Sequence, residues 1–411
     1  MSANASTDGL LLPPRARLLH IGLMKTGTTG LQNAASSLRE PLLAAGVRYP
    51  GNGLNHRTAL TAVMGRGWGW NSTPQPEAWR DLKAEIEAEE SRRVWVGHEF
   101  VSECDDDLAR RFRDELGDRT HVVVTLRNYA AVLPSAWQQT MKGGRTRPFE
   151  SWLKGVLSDA PKLESTRRAQ ERLDQGAIVQ RWASVFGPDK VTVVVVDKST
   201  PELLFDAFES MLGLDRGMLS QAELDGYASN RSMSVEEAEL LRAVNHELRG
   251  QLSWTEYRWW LRLGVAGHML GERSPGEHDT RIVLPTWAAE KAAKRSARFV
   301  EQISSSGARV VGDLDLLDRP VPHEERPVLD SPTVPVDAAA RAVLGAIAQG
   351  RLGVERAGRH GVPHVEPVDT RDMLDGASTQ DLVAALTRKL RSRAGGLVGR
   401  HGATSTEDNS A

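Results

Sequence analysis

Along the first half of the chain, unbroken aliphatic runs alternate with apolar residues at helical spacing. The stretch Arg17-Leu-Leu-His-Ile-Gly-Leu23 is apolar and leads into glycine-rich sequence, which predicts a buried strand. From Thr28 the period changes, with Leu31, Ala34, Ala35 and Leu38 at helical spacing. Strand, tight loop and helix therefore follow in immediate succession. Aliphatic runs at 94–100, 121–126 and 191–196 predict three more strands, separated by helical segments such as 79–92 and 180–186. Continuous aliphatic strands alternating with helices imply a parallel sheet covered on both faces. Past residue 200 the spacing is mostly helical, over 201–212, 234–249, 254–270 and 287–301, with a late strand at 308–314.

This pattern sets the expected domains. Residues 1–15 are small and polar and then Pro-Pro, a disordered start; 16–318 form one α/β domain with helical additions after about 250. A proline-rich, charged linker occupies 319–336. Helices at 337–349 and 379–391 make a peripheral appendix within 337–393, and 394–411 form a disordered tail.

Composition narrows the function classes. With 52 basic and 54 acidic residues the net charge is −2, so no global field attracts nucleic acid or an anionic membrane, and any anion site must be local. The single cysteine, Cys104, excludes an internal disulfide and any multi-cysteine metal cluster, and a cytoplasmic location is expected. The N-terminus has neither a basic nor an apolar leader region, and no apolar run approaches the roughly 20 residues of a membrane span. Eleven tryptophans, among them Trp68, Trp70, Trp259 and Trp260, imply either packing or a pocket lining.

Chemistry first gathers at the turn His20-Ile-Gly-Leu-Met-Lys25-Thr26-Gly27-Thr28-Thr29. Glycines permit close backbone approach, and a helix N-terminus aims N–H groups and the positive end of its dipole at whatever lies above it. Lys25 and the hydroxyls of Thr26, Thr28 and Thr29 add a charge and donors, making a phosphate cradle. It is not a Walker A motif, because Lys25 precedes Gly27 instead of following it. A second element begins where the strand 121–126 runs into Arg127, followed by Pro134 and Ser135 at what reads as the start of a new helix. Alone, these residues read as a surface ion pair and a helix cap; beside the first loop they read as a second anion site. The chain is thus expected to be α/β, a P-loop-like parallel sheet flanked by helices with a mostly helical C-terminal extension.

The order Lys25-Thr26-Gly27-Thr28-Thr29 followed by Leu31-Gln32 resembles the 5′-phosphosulfate loop of sulfotransferases that use 3′-phosphoadenosine 5′-phosphosulfate (PAPS). Arg127 with Ser135 resembles the 3′-phosphate motif of the same family. Further segments around His98-Glu99-Phe100, Lys142 and Asn230-Arg231-Ser232 are similar to those of bacterial members, so the resemblance spans roughly 17–250. It implies transfer of a sulfuryl group from PAPS, without a metal, to a hydroxyl or amine of a small-molecule, glycan or glycolipid acceptor. The Arg-Lys-Gly segment of animal cytosolic members is absent, and Arg231 stands as its replacement.

In-line sulfuryl transfer needs positioned positive charge at the leaving group, a role for Lys25, and a general base for the acceptor proton. Glu99, His98 and His56 are the candidates. Glu99 and His98 follow a central strand, where ligands bind in open α/β sheets, and strand alternation implies that only one faces the acceptor. Glu99 stands first, since partial desolvation lifts a carboxylate toward neutrality and the residue resembles the glutamate of some carbohydrate sulfotransferases. Neither His98-Glu99 nor His246-Glu247 completes an H-E-x-x-H zinc pattern. Two other classes stay open: a Mg-ATP-dependent phosphotransferase using Lys25 and Asp197, and a non-catalytic nucleotide-binding protein.

Overall fold

The computed structural model describes residues 9–67, 73–222, 231–277, 279–328 and 333–358, with side chains to 352. Chain contacts divide it into two compact units, one built from 1–136, 153–228 and 284–326, the other from 137–152, 229–283 and 327–411. The single domain expected over 16–318 is thereby split, and the helix Val336–Gly358 belongs with earlier segments of the second unit. The expected helix at 379–391, the tail at 394–411 and Trp68 and Trp70 lie outside the described residues.

In the first unit, β1 (Arg17–His20), β2 (Val47–Arg48), β3 (Arg93–Gly97), β4 (Thr120–Leu126) and β5 (Val191–Val195) pair in parallel. Two short strands, β6 (Leu284–Pro285) and β8 (His323–Glu324), pair separately, while β7 (Arg309–Val311) joins β5 at the edge. The order of the six-stranded sheet is β2-β3-β1-β4-β5-β7. Leu18, Trp95, Val123 and Val194 point to one face, where Leu31, Ala34 and Ala35 of helix Thr28–Ser37 and Ala207, Phe208 and Met211 of helix Glu202–Leu212 cover them. The alternate residues Leu19, Val122, Val124, Val193 and Val195 are also fully buried. Burial on both faces is why these strands read as continuous aliphatic runs.

Residues 9–15 correct the expected disorder of 1–15. Leu10 and Leu12 are buried in the same core, and the Leu12 N–H donates to the Met211 carbonyl at 2.9 Å. Two apolar side chains on a core outweigh the polar character of the flanking residues. Within 319–336, too, His323 and Glu324 form a strand instead of a linker.

The chain leaves β1 toward β2 and β3 on one side and returns to β4 on the other, so the order reverses between β1 and β4. In an open α/β sheet this reversal opens a crevice at the carboxyl ends of the strands. The three adjacent strands β3, β1 and β4 lead there into Glu99, the Lys25 loop and Arg127, in that order.

The second unit is helical. Ser234 caps helix Val235–Glu247 through a reciprocal capping box with Glu237. The stretch expected as one helix over 254–270 instead contains a π-helical segment, Arg258–Val265, between α-helical ends. Gly264 packs there against Gly345, where a Cβ on Gly345 would stand 2.2 Å from the Gly264 carbonyl oxygen. The Trp259 indole N–H donates to the Gln349 carbonyl at 3.2 Å, an internal packing role.

Candidate functional site

The loop after β1 is held open by a relay of hydroxyls. Thr26 donates to the Leu23 carbonyl at 2.5 Å and stands 2.6 Å from the Thr125 hydroxyl, which lies 3.4 Å from His20 Nε2. Because Thr26 spends its only proton on Leu23, Thr125 donates to Thr26, and His20 Nε2–H donates to Thr125. Thr26 is therefore a brace, not the anion donor expected from its place in the motif. A Cβ at Gly22 would stand 1.8 Å from the Thr125 oxygen, which explains glycine there. Ile21 and Leu23 amides continue onto β4 carbonyls, so the loop hangs from the neighbouring strand.

The loop closes with left-handed backbone at Lys25, φ 68°, and Gly27, φ 84°. Lys25 and Arg15 are the two non-glycine residues with positive φ among the described residues, and such a conformation costs about 1 kcal/mol for an ordinary side chain. Gly27 is the N-cap of helix Thr28–Ser37, which has no side-chain cap and no acidic residue in its first turn. Several other helix starts are capped by side chains, among them those of His98, Asp105, Asp174, Ser234, Ser253 and Asp313, while others, such as that of helix Thr286–Ser305, have none. A helix start without a capping acceptor, beside a lysine, is electrostatically suited to an anion. Thr29 is exposed beside it, and Thr28 is buried.

At the end of β3 the expected alternation fails. The chain turns into a 3-10 helix at Glu99–Glu103, so Glu99 is not on the strand and His98 is its N-cap. The turn brings both side chains together, with His98 Nδ1 3.2 Å from Glu99 Oε2. Gln32, on the helix that starts at the Lys25 loop, donates to the same Oε2 at 3.0 Å. Its amide is oriented by Asn55, which donates to Gln32 Oε1 at 3.0 Å. Burial raises the Glu99 carboxyl above its ordinary value, against opposing hydrogen bonds from its own backbone amide and Gln32 and the charges of Arg57 and Lys25.

His56 is buried at the start of helix Arg57–Met64. Its Nδ1 accepts from the Gly97 N–H at 3.2 Å, and its Nε2 faces the Pro50 carbonyl at 3.0 Å. Both ring nitrogens are engaged and burial lowers its pKa to about 4, which removes it as a base.

Arg127 follows β4, and burial lowers its pKa. Gln175 Nε2 donates to its carbonyl at 2.7 Å. The next helix starts earlier than Pro134, at Tyr129, with Asn128 Oδ1 accepting from the Ala131 N–H at 3.0 Å. Asn128 also donates to the carbonyls of Leu316 and Arg319, which anchors that cap and lets the helix begin five residues before its internal proline. Ser135 is thus mid-helix, its hydroxyl donating to Val132 at 2.8 Å, and about 10 Å of helical rise separates it from position 128.

Arg231 is spent in the second unit. It makes two 2.7 Å bonds with the buried Glu237 carboxylate and donates to the carbonyls of Ser232, Met269, Leu270 and Arg273. No donor remains directed at a phosphate, because buried Glu237 requires a counter-charge. Asp197 accepts from the Ser199 amide and hydroxyl, which hold its carboxyl below the usual value and stabilise a turn. Burial pushes the Cys104 thiol up to about 12. No three His, Cys, Asp or Glu side chains are grouped as metal ligands among the described residues.

Sheet order and register define an α/β fold in which a helix N-terminus, a lysine and a half-buried carboxyl follow the carboxyl ends of neighbouring strands. Among solved structures the chain is similar to a sulfotransferase from Alicyclobacillus acidocaldarius, with 16% identity over 75% of this chain and 100% of that one and a TM-score of 0.44. No protein-family model and no curated protein matches the chain. No helix among the described residues is long and apolar enough to cross a membrane.

Proposed function

We propose that the chain is a PAPS-dependent sulfotransferase acting on a hydroxyl or amine of a small-molecule or carbohydrate acceptor. The observation that carries this reading is the pairing, just past the adjacent strands β1 and β3, of the helix start beside Lys25, without a side-chain cap, with the half-buried Glu99 carboxyl, which burial raises above its ordinary value. The first arrangement suits a multiply charged leaving group, the second a base working near neutral pH. PAPS, when bound, supplies the transferable sulfuryl group on a bisphosphate nucleotide.

The Lys25 ammonium and the amides of Thr28 and Thr29 hold the 5′-end anion, with Thr26 fixing the loop against β4. Arg127, at the end of the neighbouring strand, holds the 3′-phosphate, and Ser135 adds its hydroxyl after rotating away from Val132. Glu99 takes the acceptor proton. Asp197, the residue a magnesium phosphotransferase would need, is engaged in a turn, which favours a metal-independent transfer.

Calorimetry with PAPS, adenosine 3′,5′-bisphosphate and ATP tests the reading, followed by mass spectrometry of a metabolite extract incubated with PAPS. The expected result is tighter binding of the two 3′-phosphorylated nucleotides and products heavier by one sulfuryl group. Equal or tighter binding of ATP with a magnesium requirement overturns it.

A further inference from the structure

The carboxyl of Glu99 has an unusual neighbour. His98 Nδ1 accepts the Phe100 N–H at 3.3 Å, so this nitrogen carries a lone pair and the ring proton sits on Nε2. The same lone pair stands 3.2 Å from Glu99 Oε2. With Glu99 ionised, a lone pair and a negatively charged oxygen face each other. With a proton on Oε2, the contact becomes an O–H···N hydrogen bond, and Oε2 still accepts from Gln32. The bond from Phe100 is long for an amide donor, which leaves the lone pair room for a second donor.

We propose that His98 is the hydrogen-bond acceptor for the proton that Glu99 takes up, a neutral tuning residue and not itself the base. The proposal rests on the sulfotransferase reading for its role in turnover, though the contact itself does not. As the acceptor O–H bond breaks, its electron pair goes to the new oxygen–sulfur bond, the bond from sulfur to the 5′-phosphate oxygen breaks with its pair leaving on adenosine 3′,5′-bisphosphate, and the proton bonds to the Glu99 carboxylate. His98 takes no proton; it stabilises the carboxylic acid and disfavours the carboxylate.

The charged and titratable groups around the pair fit this division. Lys25 from the loop after β1 and Arg57 from helix Arg57–Met64 act on Glu99, and the Glu99 charge acts on the Tyr49 phenol. Arg57 also acts on His98, and His98 on His20 and His56, so protonating the imidazole would add positive charge beside an arginine and among two buried neutral rings. Burial, with Arg57, lowers the His98 pKa to about 3.

Two measurements on the unliganded protein test the contact. The ¹³C titration of the Glu99 carboxyl, assigned through Glu99→Gln, is expected to move down by about one pH unit in His98→Leu and to recover in His98→Asn, whose Oδ1 occupies the place of Nδ1. In the wild type, the ¹⁵N shift of His98 Nδ1 is expected to follow the Glu99 titration, and to stay constant with pH in Glu99→Gln. In turnover, the acid limb of kcat should shift with the Glu99 titration in His98→Leu, and His98→Asn should recover most of the lost rate. A Glu99 titration indifferent to His98→Leu, a Nδ1 shift that ignores Glu99, or an inactive His98→Asn beside an active Glu99→Gln overturns the proposal. If His98→Leu does not fold, the wild-type ¹⁵N titration decides alone. Loss of PAPS binding in the wild type would sink the sulfotransferase reading and leave the titration result standing.

Discussion

The two units each contain a dense cluster of ionisable groups, and the clusters are built on opposite principles. In the second unit, Arg273 binds Glu237, Asp279 and Asp337 at 2.6–2.8 Å, and Arg231 closes the remaining side of Glu237. Burial alone would raise Asp279, but the bonds from Arg273 and the Gly276 amide outweigh it and hold the carboxyl below its ordinary value. In the first unit, Glu99 lies near Lys25 and Arg57, yet burial wins and its carboxyl moves up. A cluster that only holds a fold satisfies each charge internally. The cluster proposed to do chemistry instead holds a carboxyl above its ordinary value beside a helix start without a side-chain cap.

The sharpest way to break this contrast is Glu99→Gln, which keeps shape and removes basicity. Turnover is expected to fall by about 10²–10⁴-fold with PAPS affinity retained, measured by steady-state kinetics and calorimetry. An enzyme with near-normal kcat would place Glu99 with the structural clusters. Next in size is Arg273→Ala, which strands the buried Asp279 carboxylate and leaves Glu237 with Arg231 alone. It should cost about 3–5 kcal/mol in urea unfolding; a loss under 1 kcal/mol would mean the second cluster is not the closed network its distances imply.

Arg127→Ala sharpens the comparison inside the first unit, because Arg127 is assigned to binding and Lys25 to the bond being broken. Donor affinity should weaken by about 1.5–3 kcal/mol, with kcat at saturating donor little changed, whereas Lys25→Ala should depress kcat. Similar kinetic profiles for the two would erase the division of labour. The smallest effect per group concerns acid stability. Burial lowers His20 and His98 to about 3 and His56 and His121 to about 4. Below about pH 6.5 the unfolded chain binds protons that these folded histidines refuse, so stability falls as pH drops from 6.5 toward 4. Each group contributes about 1.4 kcal/mol per pH unit in that window, most cleanly read between pH 6.5 and 5.5, above the ordinary carboxylate range. Urea midpoints flat over that interval would mean that the four rings are protonated in the folded protein.

Much of this was legible along the chain. The aliphatic runs named five of the six strands of the main sheet: β1, β3, β4 and β5, which are buried on both faces, and the partly exposed edge strand β7, whereas β2, two residues long, has no run to display. The Lys25 loop was legible because its chemistry is contiguous. Less so was the entry to helix Tyr129–Met141, because the signal for its start, Asn128, depends on carbonyls nearly two hundred residues away, while Pro134 advertises a helix start that is not there. The bond from Gln32 to Glu99 and the one from Asn55 to Gln32 were not legible, because each partner is brought there by the fold.

What the sequence determined by itself is whatever depends on neighbours in the chain: strand and helix periodicity, the glycine-supported turn at 22–27, and the juxtaposition of a lysine with a helix start. What only the tertiary structure decided is how each polar group is used, since a hydrogen-bond partner is set by the fold and not by spacing. Three residues that read alike as site candidates were separated that way. Thr26 became a brace on Thr125, Arg231 a counter-charge for Glu237, and His56 a buried ring with both nitrogens engaged, while Glu99 kept a raised carboxyl. The physical reason is that burial makes an unsatisfied polar atom expensive, so the fold commits most such atoms to structure, and a carboxyl whose burial outweighs its hydrogen bonds stands out.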